Sequence, residues 1–549
     1  MKPTGNRLMS GLLAAAALFA AALILVSTRR GPGVGGDATV YLTTARNLIH
    51  GAGLGMLDPD GTFRFLSYYP PLFPLSLSVL GLAGIDLAAG ARWLNALLFG
   101  LTVWLTGYTL GRATRSPLTG LLAATALALS PVAIPQFSWA MSEPLANFLG
   151  FLGLACLLWS LESGRRWGTL ALSALLCGAS IITRYASLPF LAAGALGIVV
   201  LADGRFWRRA GRAAAYLGIG LVPVLVWELW DFGHSASLAS RSLGGGMGLG
   251  AALASFWSDL CGVILGWFAP QSWLDTFLHS GLLQCGLTLA LAVAGIVWAV
   301  WALRRRSKPA GDATMRLFAL AAIFFAVYLG FILVTYVAVS PTIDVNQRIL
   351  LPLHIAAIWM AAALAGLTLQ KAVNARRVGI GFTIVAVLVC GWFASRSVRI
   401  VQQNYTDGLG YYAVSWQNSP TIQQVKALPA DTILVSNDPT AIYFLAGRPA
   451  YTLAELRQVS PAAIFNRYGD GDLSSDPAQR VFKEKGAALV LFTSINDDLL
   501  PLYGDRAAQR LQALVQGLRT AYSGADGWIY YYPVIRDYPV ARDYPAQGQ

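Results

Sequence analysis

The stretch from Leu8 to Ser27 reads LMSGLLAAAALFAAALILVS, without one charged residue, and it follows Lys2 and Arg7. A bilayer core about 30 Å thick is crossed by about 20 apolar residues in a helix, so this run spans. No convincing cleavage site follows it. It reads as a retained signal-anchor with its basic end in the cytoplasm. Similar runs recur at 90–111, 117–134, 139–161, 167–183, 186–202, 212–231, 277–303, 315–338, 350–369 and 378–394, which predicts eleven spans. Composition points the same way. Of 549 residues, 56% are hydrophobic and 12% charged, against about half and a quarter in ordinary soluble domains. A soluble globular enzyme is excluded, and the chain is expected to be a polytopic α-helical membrane protein.

The formal charge of +13 fits either a nucleic-acid partner or the basic loops that orient membrane helices. The basic residues sit in short clusters between apolar runs, which argues against nucleic acid. Threaded through eleven spans, Lys2 and Arg7, Arg112 and Arg115, Arg165 and Arg166, Arg205 to Arg212, Arg304 to Arg316, and Lys371 to Arg377 fall on one side, the cytoplasm. Arg29 and Arg30 are the exception. The five cysteines, Cys156, Cys177, Cys261, Cys285 and Cys390, lie inside apolar runs and read as core packing.

Two further apolar segments are expected not to span. Pro71 to Gly84 is too short, and Ala251 to Pro270 carries Asp259 at mid-length, so both read as helices on or dipping into the outer surface. This divides the chain into a transmembrane domain at 1–399, with a first outer loop at 28–89 and a flexible outer loop at 232–276, and a small extracytoplasmic α/β domain at 400–535. In the latter, strand-like runs at Thr432 to Val435, Ala488 to Phe492 and Trp528 to Tyr532 alternate with helix-like ones at Thr421 to Leu428 and Ala507 to Leu518. The tail 536–549, which repeats Arg-Asp-Tyr-Pro at 536–539 and 542–545, reads as disordered.

The chemistry is sought in the outer loops, since short cytoplasmic turns leave little room. Asp37 opens a helix over Ala38 to His50 in which Tyr41, Ala45 and Leu48 form one stripe, Leu42 and Ile49 flank it, and Thr43, Thr44, Arg46 and Asn47 face away. That predicts an interfacial amphipathic helix. Asp37 itself reads either as an N-cap or as a general base held at the membrane surface. Gly51-Ala52-Gly53, then Tyr68-Tyr69-Pro70-Pro71-Leu72-Phe73-Pro74, then Ala91-Arg92-Trp93-Leu94-Asn95-Ala96 follow it.

With these motifs the sequence resembles the GT-C superfamily of membrane glycosyltransferases, which includes the protein O-mannosyltransferases and the aminoarabinose transferases of lipid A. The resemblance covers residues 1 to about 400 in layout and is most specific between Asp37 and Leu97. Ser436-Asn437-Asp438-Pro439 and Tyr443 to Pro449 look like bacterial members with an added outer domain. What it implies is sugar transfer from a polyprenyl-phosphate donor on the outer face of the cell's inner membrane, with Asp37 at the catalytic-carboxylate position. An inverting transfer needs a base for the acceptor hydroxyl and cations for the departing phosphate.

Arg184, in the turn Thr183-Arg184-Tyr185, and Arg348, ahead of Leu350-Leu351-Pro352-Leu353, match places where relatives carry an arginine near the lipid phosphate, which a guanidinium fork binds bidentately. Their bland readings are snorkelling for Arg184 and an ion pair with Asp344 for Arg348. Glu143, in Met141-Ser142-Glu143-Pro144-Leu145, matches a Ser-Glu-Pro segment of relatives and is expected in the sugar and acceptor cavity, or as a first-turn helix acid. Tyr69, Tyr185 and His354 complete the expected sugar and acceptor site, a packing role being the alternative for His354.

Asp37 is followed by Ala38 where several members have a second acid, so no metal-ligand pair is evident. No cofactor is expected, a divalent metal being left open. The expected partners are the lipid-linked donor, a lipid, glycan or protein acceptor, and membrane lipids. Gly244-Gly245-Gly246-Met247-Gly248 lacks the Lys-Ser/Thr ending of a phosphate loop and reads as flexibility. The rivals are a transporter or lipid flippase, against which stands the lack of a half-to-half repeat and of mid-membrane charges, and a glycan-binding scaffold, for which Asp37 is replaceable.

Overall fold

The computed structural model describes residues 3–57, 63–162, 167–235, 242–243, 248–277, 280–304, 312–340, 344–453 and 486–531. The tail 536–549, His279, the clusters Arg165–Arg166 and Arg305–Lys308, and most of the glycine run at 244–248 lie outside the described residues. In chain order, α1 (Pro3–Ser27) is followed by α2 (Gly36–Ile49), β1 (Gly55–Leu57), β2 (Phe63–Phe65), α3 (Leu72–Leu82), α4 (Leu87–Thr114), α5 (Pro117–Ala128), α6 (Ala133–Ser138), α7 (Glu143–Glu162), α8 (Trp167–Ile181) and α9 (Leu188–Leu201). Then come α10 (Phe206–Ser235), β3 (Ser242–Leu243), α11 (Leu249–Phe268), α12 (Gln271–Phe277), α13 (Gly281–Arg304), α14 (Ala313–Ala338), β4 (Val339–Ser340), α15 (Leu351–Leu369) and α16 (Ala375–Asp407). Two compact units result: Met1–Pro32 with Tyr69–Thr406, and Gly33–Tyr68 with Asp407–Gln549.

The first unit is a helical bundle. Among the described residues nine helices are long and apolar enough to cross a membrane. Eight of them coincide with expected spans, and the other three expected spans fall on the shorter apolar helices α5, α8 and α9. The ninth, α11, expected as a surface helix, has 20 residues at mean hydropathy 1.5 and is by length and composition alone long enough to span. Its mid-length acid is not left bare, since Tyr336 of α14 donates to the Asp259 carboxylate at 3.3 Å. Close approach is paid in glycine, as a Cβ on Gly120 of α5 would sit 2.3 Å from the Gly107 carbonyl oxygen of α4. The core runs through Phe99, Phe137, Phe151, Phe190, Phe324 and Trp359, all essentially buried.

Hydrogen bonds at the helix ends define two faces of this unit. At one, the end of α1 meets the end of α16: Asn404 donates to Ser27 at 2.8 Å, Arg29 to the Tyr405 hydroxyl at 2.5 Å, and Arg30 to the Thr406 carbonyl at 2.8 Å. At the other, Arg112 at the end of α4 pairs with Glu162 at the end of α7, and Arg316 at the start of α14 reaches the Leu161 carbonyl and Asp203.

The second unit carries a mixed five-stranded sheet. Its elements are α17 (Val414–Gln417), α18 (Pro420–Ala427), β5 (Leu434–Ser436), α19 (Pro439–Ala446), β6 (Tyr451–Thr452), β7 (Ala488–Phe492), α20 (Ile495–Tyr503), α21 (Ala507–Val515), β8 (Arg519–Ser523) and β9 (Gly527–Tyr531). The strand order is β6-β5-β7-β9-β8, parallel at β6-β5-β7 and antiparallel beyond. Alternate residues of β7 feed two cores: Leu489 and Leu491 pack with Val435 and Leu499, while Ala488, Val490 and Phe492 pack with Leu434 and Ile442. A strand buried on both faces reads as an unbroken apolar run. Ser419 and Asp438 cap α18 and α19, each followed by a proline at the first helical position, the arrangement that starts a helix most cleanly.

The loop after α1 belongs to this unit. Val34 bridges Gly410 in parallel, and Tyr411 donates its amide to the Val34 carbonyl at 2.8 Å. Helix α2 packs against β1 and α19. It is not the amphipathic surface helix its stripe predicts: Ala38 to Ala45 are all buried, Thr43 and Thr44 included. Threonine carries a β-branched methyl beside its hydroxyl and packs like a small apolar side chain, so it is a poor marker of a solvated face.

Candidate functional site

Glu143 is the first residue of α7, a fully enclosed acid with 3% of its surface exposed. Such a group persists only where cations and hydrogen bonds compensate its lost hydration. Two arginines do so. Arg184 Nη1 lies 2.9 Å from Glu143 Oε1, and Arg348 Nε bonds the same oxygen. Glu143 Oε2 is buried with no hydrogen-bond partner among the described residues. The three side chains come from separate places: the start of α7, the turn after α8, and the segment before α15. They line one recess with Asn147, Ser187, Tyr328 and Pro352.

Local structure fixes each member. Arg184 N-caps a short 3₁₀ turn, Tyr185–Ser187, with extended backbone. The Ile182 carbonyl just before it accepts the Leu72 amide at 3.0 Å, so the Tyr-Pro-Pro-Leu segment at the start of α3 packs on the Arg184 turn. Arg348 is held from behind, since Tyr328 of α14 donates to the Ile349 carbonyl at 2.8 Å. The Ala-Arg-x-x-Asn-Ala motif is structural glue. Arg92 donates to the Leu25 carbonyl at 2.8 Å and to Thr28 at 3.1 Å, and Asn95 donates to the Trp139 carbonyl at 2.5 Å, just ahead of Glu143. The recess therefore lies at the face where α1 and α16 end.

Of the residues expected from sequence, Glu143, Arg184 and Arg348 are brought together, and the partner the structure gives both arginines is Glu143. Tyr69 is buried with 8% exposed, and the Tyr185 hydroxyl accepts the Trp227 indole N–H at 2.8 Å. Neither lines the recess. His354 does not either: Pro352 lines the recess, and two residues on is about 200° around the helix. His354 instead bonds Ser130 at 2.9 Å and meets the Trp267 ring edge-on, ring centres 5.0 Å apart. Asn147 and Tyr328 were not anticipated. The signal available was a polar side chain one turn after Glu143 and a tyrosine deep in an apolar span.

Asp37 lies in the second unit, in the first turn of α2. Gly35, not Asp37, occupies the N-cap position, while Asp37 as the acid of the first turn keeps the favourable place at the positive end of the helix dipole. After the helix, Gly51 and Gly53 take positive φ, and a Cβ on Gly55 would fall 2.1 Å from the Arg64 carbonyl oxygen. Glycine is what lets β1 pair with β2 directly behind α2, and Asn47 of α2 donates to the Gly55 carbonyl at 2.8 Å. Among the described residues no group of three or more His, Cys, Asp or Glu is placed to hold a metal ion.

Residues 66–226 match the family model described as dolichyl-phosphate-mannose-protein mannosyltransferase. That segment contains Tyr69, Glu143 and Arg184. No curated protein matches the sequence significantly. Three solved structures are similar in fold. ArnT from Cupriavidus metallidurans bound to undecaprenyl phosphate has a TM-score of 0.54 and 15% identity, over 96% of this chain and 98% of that one. AglB, the oligosaccharyltransferase of Archaeoglobus fulgidus, in complex with an inhibitory peptide and a dolichol-phosphate, has a TM-score of 0.51 and 12% identity, over 97% and 75%. The arabinofuranosyltransferase AftD from Mycobacteria has a TM-score of 0.51 and 16% identity, over 96% of this chain and 42% of that one. The chain is thus a multi-pass membrane protein with the GT-C glycosyltransferase fold, and its residues 66–226 are similar to the mannosyltransferase family.

Proposed function

We propose that the protein transfers a sugar from a polyprenyl-phosphate-linked donor to an acceptor at the outer face of the cell's inner membrane, with inversion. The observation that carries this is the convergence of Arg184 and Arg348 on one recess in a chain of this fold. Two solved relatives bind undecaprenyl phosphate and a dolichol-phosphate, which supports a lipid-linked donor. Asp37 takes the proton of the acceptor hydroxyl as its oxygen bonds the anomeric carbon. The carbon–oxygen bond to the phosphate breaks, its electron pair stays on the phosphate oxygen, and the two guanidiniums stabilise that charge. Glu143 fixes the arginines, while Tyr69 and Tyr185 support the cavity walls. In this reading residues 1–399 form the catalytic domain, 400–535 an extracytoplasmic domain, and the N-terminus is cytoplasmic.

The test is transfer from radiolabelled polyprenyl-phosphate sugars in proteoliposomes, comparing wild type with a correctly inserted Asp37→Asn protein. Transfer by wild type and its loss in the variant support the reading, and the labelled product identifies the acceptor. Undiminished transfer by Asp37→Asn removes Asp37 as the base. If no donor is consumed at all, the enzyme reading fails and transport takes its place.

A further inference from the structure

In the second unit, the motif Ser436-Asn437-Asp438-Pro439 supplies more than the start of a helix. Asp438 caps α19 through the Ala441 amide at 3.0 Å, and the same carboxylate oxygen accepts the Tyr411 hydroxyl at 2.8 Å. The Thr440 hydroxyl stands 2.8 Å from that of Tyr411. The Tyr411 ring is buried, edge-on to Trp416 with centres 5.4 Å apart and 5.8 Å from that of Phe444. Gln417 donates to the Tyr411 carbonyl at 2.7 Å. With ring, hydroxyl and carbonyl fixed, the Tyr411 amide is a rigid donor, and it donates to the Val34 carbonyl at 2.8 Å. Val34 is buried and precedes Gly35, the N-cap of α2, whose carbonyl accepts the Thr39 amide at 2.8 Å. Asp37 sits in the turn so anchored. The body of α2 packs on α19, the helix that Asp438 caps. Two supports of α2 therefore lead back to Asp438.

We infer that Tyr411, held by Asp438, is a positioning residue for the Asp37 carboxylate. This rests on the reading of Asp37 as the general base. A base works only within hydrogen-bond reach of the hydroxyl it deprotonates, and a displacement of about 1 Å costs up to ~100-fold in rate. The first turn of a helix is the part that frays, since its amides have no partner within the helix, and α2 has no side-chain cap to hold it. What stands in for the cap is the strand-like pairing of Val34 with Gly410 and Tyr411. Loss of the Tyr411 hydroxyl bond loosens the amide at the other end of the same residue, and the looseness is delivered three residues beyond Val34, at Asp37. The C-terminal part of the chain thereby serves the reaction through a backbone bond, without itself reaching the substrate at this point.

The test is Tyr411→Phe on the full chain in the proteoliposome transfer assay, beside Asp37→Glu and the double variant. Tyr411→Phe keeps the ring and is expected to lower kcat about tenfold, with the donor KM within about twofold of wild type, as Arg184 and Arg348 belong to the other unit. In Asp37→Glu the carboxylate is already displaced by one methylene, and the same change is expected to cost less than about twofold. Partial unfolding costs the same in both backgrounds, so equal losses overturn the inference, as does an unchanged kcat or a loss carried by KM. Should Asp37→Glu be too slow to measure, amide exchange decides. Tyr411→Phe is expected to speed exchange in 36–41 and to leave β7 and β9 as they are, and unchanged exchange in 36–41 overturns the inference. Should Tyr411→Phe not fold, Gln417→Leu, an exposed change that frees the Tyr411 carbonyl, is expected to lower kcat in the same sense, and an unchanged kcat there counts equally against it. If Asp37→Asn transfers as wild type does, the reading of Asp37 as the base falls first.

Discussion

Tyr328 shows how one hydroxyl prepares an arginine through its backbone. Its bond to the Ile349 carbonyl at 2.8 Å pins the backbone directly after Arg348, and a single such bond contributes about 1 kcal/mol. Tyr328→Phe is expected to leave the fold intact and to lower turnover several-fold through looser placement of the guanidinium. A variant as active as wild type in the proteoliposome assay removes that role. Glu143 and its arginines are legible in sequence because charge in an apolar chain is costly and marks function. Tyr328 is not, since nothing in a periodic apolar run says which neighbour its hydroxyl will meet. In the second unit, Asp438 poses a different problem. It accepts from Tyr411 and Thr440, each at 2.8 Å, and from the Ala441 amide at 3.0 Å. Burial nevertheless raises its pKa, and burial raises that of Asp498 too, with help from the Asp438 charge. Both groups therefore bind protons more readily folded than unfolded. Their contribution to stability is whole below the ordinary carboxylate pKa of about 4 and is lost as pH rises through the folded values. Amide exchange in 434–446, corrected for intrinsic rate, is expected to show weaker protection at pH 7 than at about pH 4, the ordinary carboxylate value. Asp438→Asn, which keeps a capping oxygen, flattens that dependence. Protection that grows with pH contradicts it.

At the scale of elements, the least legible piece is the segment from Gly33 to Tyr68. Its sequence looks like a membrane-surface loop with an amphipathic helix, because the alternation of Tyr41, Ala45 and Leu48 with threonines imitates a wetted face. The threonines are buried, and the segment is secured within the second unit by a bridge to a residue 376 positions on in the chain, Val34 to Gly410. No local pattern encodes such a pairing. Gly410 marks it only in hindsight: its φ is +53°, and a Cβ there would stand 2.0 Å from the Val34 carbonyl oxygen. Gly410→Ala thus combines a strained backbone with a direct clash, at a cost of about 2 kcal/mol or more. The expected outcome is loss of exchange protection at the Tyr411 amide, with the bundle helices unaffected. Retained protection shows that the bridge does not depend on glycine. The strands were easier to read. β7 and β9 lie within a residue of their expected places because buried β-branched and aromatic runs bounded by turns leave few alternatives, whereas β8, with its exposed Arg519 and Ser523, carries no such signal.

At the scale of the whole molecule, the basic residues set an orientation that the hydrogen bonds of the first unit sharpen. Arg29 and Arg30 break the pattern of cytoplasmic positive charge, and the structure gives the reason: they are spent on Tyr405 and Thr406, with the Arg29 guanidinium 4.7 Å from the Tyr405 ring centre. Arginines tied down in this way join α1 to α16 and do not serve as free topogenic charge. Arg112, Asp203 and Arg316 gather with Glu162 at the other face, where the loop charges were expected to be cytoplasmic. The helix α4 connects the two, with Arg92 at one end and Arg112 at the other, and its 28 residues span about 42 Å, enough to cross a bilayer. Two single-cysteine proteins follow from this, each made in a chain whose five native cysteines are replaced by alanine. Thr406→Cys is expected to react with a membrane-impermeant maleimide in intact cells, and Arg205→Cys, in the exposed turn beside Asp203, only in inverted vesicles. Labelling of both from the outside means that the two hydrogen-bonded faces are not the two sides of the membrane. Labelling in the reverse sense keeps the faces but turns the molecule over, which puts the arginine recess toward the cytoplasm and removes the reason for a lipid-linked donor.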